Sequence, residues 1–538
     1  MTIIFVVLFV GCQGGTETAV SPTAAPAETV ITEAATDPPP TQTAETVADT
    51  PTAVLEEEAV VVEEETAVPP TEPVPADTNS IRDLTILYTN DEHGWMLGTE
   101  EGSGAANLLG LWEEIEGYQQ NEHTILLSGG DMWTGPAISS WFDGESMAQV
   151  MNQMGYTAAA IGNHEFDFGL DVLQLRAAES TFPFVSANIR RKSDGTIPTD
   201  VGIQPYALTT VNEVVVGIVG LTTITTPTTT NPVNVSEFDF IDYETALREI
   251  VPEVRAAGAE LILVPGHICQ GEVEFLAQNV SDLGIHLLGG GHCNELFASE
   301  SNGIILLEGG ANMQSYAWAQ LQFDTETDTI VNADYGVAQN MQGMANADLA
   351  MLIENWETAA SAELDVVIGH TDGIERRSQE MQDLITQAWL ARFPASDVAV
   401  TNLGGMRAPF EPGEITLGDI ITVMPFNNVI IDVKMTGEQL RQFIQIADND
   451  AVAGIGRVNG ALTMLKTGEP LDREATYSVL VNDFMYAGGD NYSVLAVFDP
   501  NAYNTAVDWR QPVIDWITTQ ESSAEQPIDL ALEAFGNQ

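Results

Sequence analysis

Asn163, His164, Glu165 and Asp167 fall within the ten residues AIGNHEFDFG, directly after a small apolar run. A turn so dense in oxygen and imidazole groups can coordinate a metal or move a proton, although one such loop alone reads equally well as polar surface. Four further turns carry similar groups. TNDEHG brings Asp91 and His93 after the run LTILY, and GGDMWTG brings Asp131 after TILLS. PGH brings His267 after ELILV, and GGHCN brings His292 and Asn294 after IHLLG. The chain has 7 histidines, and His93, His164, His267 and His292 all sit in these turns. A lone histidine is more often a core residue, but matching positions in separate turns point to ligands. Carboxylate, imidazole and amide oxygen together suit Zn²⁺ or Mn²⁺, and a shared carboxylate such as Asp131 can bridge two ions.

The elements that must position these groups are short apolar runs bounded by glycine or polar turns, alternating with helix-like stretches at 107–119 and 243–257. Continuous apolar runs between helices predict buried strands of a layered α/β domain. If the strands run the same way, their C-terminal ends share an edge, where ligands bind in layered α/β sheets. Further on, Leu349, Leu352, Ile353 and Trp356 predict a helix over 348–364. The runs VAVTN, VIIDVKM and YSVLVN predict more strands, and Thr436 to Gln439 form a capping box.

Three loops of this second half stand out: Asn402, Gly405 and Arg407 in TNLGGMRAPF, Phe426 and Asn428 in MPFNN, and Phe484 and Asp490 in NDFMYAGGDNY. Singly they read as a glycine turn, a core phenylalanine and a hairpin. Together they supply two rings to stack on a base, an arginine for phosphate and an aspartate for ribose hydroxyls.

The chain has 538 residues, enough for two domains, and 44% hydrophobic residues, enough for sizeable cores. Its 17 Lys+Arg against 79 Asp+Glu give a net charge of -62, which argues against binding nucleic acid or acidic membranes. Against that background the grouping of Arg376, Arg377 and Arg407 is conspicuous. MTIIFVVLFVG is too short to span a bilayer and reads as a secretory signal. Cys12 then follows as in a bacterial lipoprotein box, with an ordinary cleaved signal as the alternative. Residues 13–80, rich in Thr, Pro and Glu and free of Lys and Arg, predict a disordered tether. No other stretch is long and apolar enough to cross a membrane. The expected location is therefore the cell surface or periplasm, with lipid anchoring at Cys12.

D-x-H, GGD, GNHEFDFG, GH and GGH-x-N occur in the order of the calcineurin-like metallophosphoesterases, and GNHEFDFG resembles their bacterial 5'-nucleotidase branch. The resemblance runs from about Leu84 to the C-terminus. It implies a layered α/β metallophosphoesterase sandwich over 81–345, a linking helix over 346–365 and a smaller α/β substrate-binding domain over 366–538. It implies two divalent ions (Zn, Mn or Co): one on Asp91, His93 and Asp131 with Asn294 nearby, the other on Asp131, Asn163, His267 and His292. His164 and Asp167 resemble the family's catalytic dyad, with Glu165 as a structural acid. Relatives usually carry His or Gln at the position of Asn294, so the first ion is expected to be the more exchangeable. In the second domain the resemblance has Phe426 and Phe484 sandwiching the base, Asp490 holding the ribose, and Arg376 or Arg377 adding a phosphate contact.

The implied activity is hydrolysis of nucleoside monophosphates, or of UDP-sugars and other nucleotides, by in-line attack of a hydroxide bridging the two metals. A 2',3'-cyclic-nucleotide phosphodiesterase/3'-nucleotidase and a catalytically silent surface-binding protein are the alternatives; the sulfur-oxidising thiosulfohydrolase relatives fit less well. Recognition and metals would sit on different domains, so that turnover needs the two to close. Cys269 and Cys293 flank proposed ligands, either disulfide-bonded, as two free thiols, or with at least one buried as a small hydrophobe.

Overall fold

The computed structural model describes residues 80–536 apart from 101, 119–121 and 342. The leader, Cys12 and all but the last residue of the tether lie outside them. Six strands end in turns that bear on the site: β1 (Ile81–Thr89), β2 (Thr124–Ser128), β3 (Ala158–Ala160), β4 (Val214–Val219), β5 (Leu261–Val264) and β6 (Leu287–Gly289). They do not share one sheet. β1, β2 and β3 are parallel neighbours in a seven-stranded sheet, and β4, β5 and β6 are parallel neighbours in a six-stranded one.

From Leu84 onward on β1, and along the other five, the strands are mostly apolar because both of their faces are covered. On β1, Ile86 and Tyr88 join a core shared with Ile218, Leu263 and Leu287 of the second sheet. Leu87, between them, faces the opposite way into a core with Trp112 and Met151. On the second sheet, Ile262, Val264 and Leu288 pack with Leu247 and Val251 of the helix Tyr243–Ala256. The order is helix, sheet, sheet, helix. Each buried Leu or Ile contributes about 1.5–3 kcal/mol, so the two sheets hold their strand ends at fixed positions.

The helix expected over 107–119 runs from Ala105 to Leu111 and continues as a π-helical turn over Trp112–Glu116. Gly117, with φ 65°, then ends it. The helix Ala347–Leu364 begins where the Asn346 side chain accepts a bond from the Leu349 N–H at 3.1 Å. It buries Leu349 and Ile353 in the first core, with Leu352 and Trp356 at the margin, and its last residue Leu364 meets Ala137 and Ile421.

Beyond that helix lies a five-stranded sheet containing Val398–Thr401, Val429–Thr436 and Thr476–Asn482. It has its own cores, one around Trp389, Trp509 and Ile420, the other around Val433, Phe443 and Val481. The Thr436 to Gln439 capping box forms and opens the helix Gly437–Ile446. No helix among the described residues is long and apolar enough to cross a membrane.

Candidate active site

One cavity of about 260 Å³ collects residues from both halves of the chain. Asp91, His93, Asp131, Asn163, His164, Asp167, His292 and Asn294 line one wall. Asn402, Gly405, Arg407, Phe426, Asn428, Phe484 and Asp490 line the other. His267 sits just behind, fully buried, with its Nε2 2.9 Å from Asp131 Oδ2.

The backbone at the strand ends takes a form that side chains ordinarily avoid. Asp91, His93, Asp131, His292 and Asn294 all have left-handed φ, between 47° and 73°. Such conformations cost about 1–3 kcal/mol each and gather at functional sites. Close packing sustains them: a Cβ on Gly162 would collide with Asp131 Oδ1. Glu165, fully buried, accepts bonds from the backbone N–H groups of Asp131 at 3.0 Å, Met132 at 2.7 Å and Gly162 at 2.6 Å. It clamps two turns together, the structural role expected of it.

The histidines are oriented from behind. His93 Nδ1 lies 3.0 Å from the Thr134 carbonyl and His267 Nδ1 lies 2.9 Å from the Gly129 carbonyl. Donating Nδ1–H to a carbonyl leaves each Nε2 lone pair directed into the site, the arrangement that metal-ligating histidines use. Two donor groups within 4.8 Å result, His93, Asp131 and His164 in one and Asp131, His267 and His292 in the other. Asp131 belongs to both. Asp91 joins them through its Oδ1, 3.7 Å from His93 Nε2, while its Oδ2 accepts the His292 N–H at 2.9 Å.

Asn163 provides the test of fit to a cation. Its Nδ2 donates to the Thr229 carbonyl at 3.2 Å, yet its Oδ1 is buried without a hydrogen-bond partner. An orphaned oxygen costs about 1–3 kcal/mol, and a cation in the cavity would satisfy it. Protonation in the protein by itself tells the same story. Burial disfavours the His267 imidazolium, yet Asp131 and Asp91 push its pKa up to about 10. Burial and the charge of His267 push His292 down to about 4. A proton on His267 thus offsets negative charge where a divalent ion would sit. The donor set fits such an ion.

His164 Nδ1 is 2.7 Å from Asp167 Oδ2, so the expected pair is formed. Across the cavity the Phe426 ring stacks on His164 with centroids 5.7 Å apart and planes inclined at 26°. Arg407 donates to His93 Nε2 at 3.3 Å and lies over the Phe426 ring. Asn402 Nδ2 donates to Asp490 Oδ2 at 2.7 Å, and Asn482 Nδ2 fixes Asn402 by donating to its Oδ1 at 2.9 Å.

Arg376 and Arg377 are placed differently. They line an adjoining cavity of about 810 Å³, which shares His93, Asn294 and Arg407 with the first. Arg376 is exposed, and Arg377 takes left-handed φ, 62°, while its Nε donates to the Met406 carbonyl at 3.4 Å. Cys269 and Cys293 form a disulfide with Cα atoms 5.2 Å apart, so neither the free-thiol nor the buried-hydrophobe reading holds. Thr229, Thr230 and Asn231, which sequence reasoning passed over, also line the first cavity. Their signal was the threonine-rich run after β4, a further strand-end turn without acid or histidine.

The profile of the 5'-nucleotidase C-terminal domain matches residues 367–497. A 5'-nucleotidase of Vibrio parahaemolyticus is 27% identical over 516 residues, 83% of this chain and 90% of the relative. Protein UshA of Salmonella pullorum is 28% identical over 479 residues, 76% of this chain and 86% of the relative. The crystal structure of a 5'-nucleotidase precursor from Thermus thermophilus shares the fold, with a TM-score of 0.69 at 23% identity, covering 82% of this chain and 97% of that one. The similarity to 5'-nucleotidases thus runs through both halves of the chain.

Proposed function

We propose that the chain is an exported, divalent-metal-dependent 5'-nucleotidase that hydrolyses nucleoside monophosphates to nucleoside and phosphate, and that UDP-sugars or other nucleotides are further substrates. The observation that carries this reading is the single cavity in which the strand-end donors face Phe426, Phe484, Asp490 and Arg407. Relatives named 5'-nucleotidase support the substrate class. In this reading residues 81–345 supply the metal wall, 346–365 link, and 366–538 hold the nucleoside; the separate cores of the two halves support the division. Export, with an anchor at Cys12, rests on the leader sequence.

Two ions, each Zn, Mn or Co, would be held by Asp91, His93, Asp131 and Asn294 and by Asp131, Asn163, His267 and His292. When bound, such a pair supplies charge neutralisation and an activated water for in-line displacement. The protein does the rest by positioning, which is most of what phosphoryl transfer requires. Arg407 binds the phosphoryl oxygens as a guanidinium fork. Phe426 and Phe484 stack on the base, and Asp490, held by Asn402, accepts the ribose hydroxyls. His164, oriented by Asp167, donates to a phosphoryl or leaving oxygen. Phosphate release from AMP, UDP-glucose and cyclic AMP isomers, with and without chelator, tests the reading. Release from AMP that is sensitive to chelator is expected; turnover of cyclic nucleotides alone, or of none, would overturn it.

A further inference from the structure

The run TTITTPTTTN follows β4, and the structure lays it across the site. Pro227 stands in the first turn of the short helix Thr226–Thr229, which ends as Thr230 goes extended, with φ -120°. The segment touches both walls. The Thr229 carbonyl accepts from Asn163 Nδ2 at 3.2 Å, and Asn231 Nδ2 lies 3.5 Å from Asp483 Oδ2 in the C-terminal half. Between them the Thr230 hydroxyl, 2% exposed, donates to Asp167 Oδ1 at 2.8 Å.

We propose that Thr230 is a positioning residue for the His164–Asp167 pair, a role that rests on the reading of His164 as a group that touches the substrate. Asp167 uses Oδ2 for His164 and Oδ1 for Thr230. A carboxylate bonded through one oxygen can swing about its Cβ–Cγ bond, and the imidazole it holds swings with it. A second bond, to a buried hydroxyl on the other oxygen, fixes the carboxylate plane and hence the direction of His164 Nε2. Threonine suits the task because its branched Cβ restricts χ1 and so aims the hydroxyl. The other end of the unit is also held, since Asn234 Nδ2 donates to the carbonyls of Phe166 at 2.8 Å and Asp167 at 3.2 Å.

Thr230→Val keeps the shape of the side chain and removes the donor; Thr230→Ser keeps the donor. The metal-loaded enzyme is assayed with AMP, alone and in a His164→Ala background, with thermal unfolding measured for each variant. Thr230→Val should lower kcat about tenfold, a part of what a placed acid or base supplies, with KM within about twofold. Thr230→Ser should regain most of that loss. In the His164→Ala background, Thr230→Val should change kcat by less than about twofold, because residues acting as one unit are not additive. An equal loss in both backgrounds, or a serine variant as poor as the valine one, overturns the inference while leaving the nucleotidase reading intact. If His164→Ala itself leaves AMP turnover unchanged, the inference falls together with the role given to His164, and the nucleotidase reading stands.

Discussion

On the N-terminal wall of the cavity, Asp91, Asp131 and Asn163 are 1–2% exposed, and five of the proposed ligands hold left-handed backbone. On the C-terminal wall Phe426 and Phe484 are half-buried, Asp490 is exposed, and of that wall's lining residues only Asp490 is left-handed, at 48°. Ligands must meet an ion within a few tenths of an ångström, so one wall stores strain in a packed scaffold that cannot relax. A base and ribose tolerate small adjustments, so the other wall uses loop side chains. Damage to the first should abolish the reaction, and damage to the second should reduce it by degrees.

Metal removal is the broadest test of that contrast. Chelator should abolish phosphate release, and Mn²⁺, Co²⁺ or Zn²⁺ should restore it; activity that survives exhaustive chelation would dissolve the distinction between the walls. Asp131→Ala should come next, lowering turnover by several orders of magnitude because both donor groups lose a member. A variant with near-normal turnover would mean that Asp131 bridges nothing.

Phe484→Ala sharpens the contrast from the other side. It should lose the roughly 1–3 kcal/mol typical of base–aromatic stacking in kcat/KM for AMP. A small aryl phosphate, which has no base for Phe484 to stack on, should be nearly spared. Equal loss with both substrates would make Phe484 a packing residue. The Cys269–Cys293 disulfide closes a 24-residue separation across the two turns that carry His267 and His292. Alkylation without reductant should label neither cysteine. Replacing both by serine should cost about 3 kcal/mol of stability on the loop-closure account, measured by denaturant unfolding. Smallest of all, Thr436→Ala removes a helix cap remote from either wall and should cost about 1 kcal/mol with kcat unchanged.

The first wall was more legible than the second. AIGNHEFDFG and its companion turns each place donors within a few residues of an apolar strand, so the local pattern specifies both the strand and what its end presents. The helix capped by Asn346 begins at Ala347, one residue before the expected 348–364, and the π-turn at Trp112–Glu116 gave no signal, since its residues suit an α-helix equally well. Arg376 and Arg377 read as partners of Arg407 because cations are scarce here, and the three line the neighbouring cavity together, with Arg376 Nη1 donating to the Arg407 carbonyl at 3.5 Å.

By itself the sequence determined which residues could be ligands, which runs would be strands and which loops carried rings and charges, because these depend on side-chain chemistry and neighbours along the chain. That the donor turns divide between two stacked sheets was decided only by the tertiary structure. So were the stacking of Phe426 on His164, the pairing of Cys269 with Cys293, and the placing of the Thr230 hydroxyl on Asp167. Each of these joins groups from separate turns or domains. Their meeting is fixed by how the buried faces of sheets and helices pack, and no short stretch of chain encodes it.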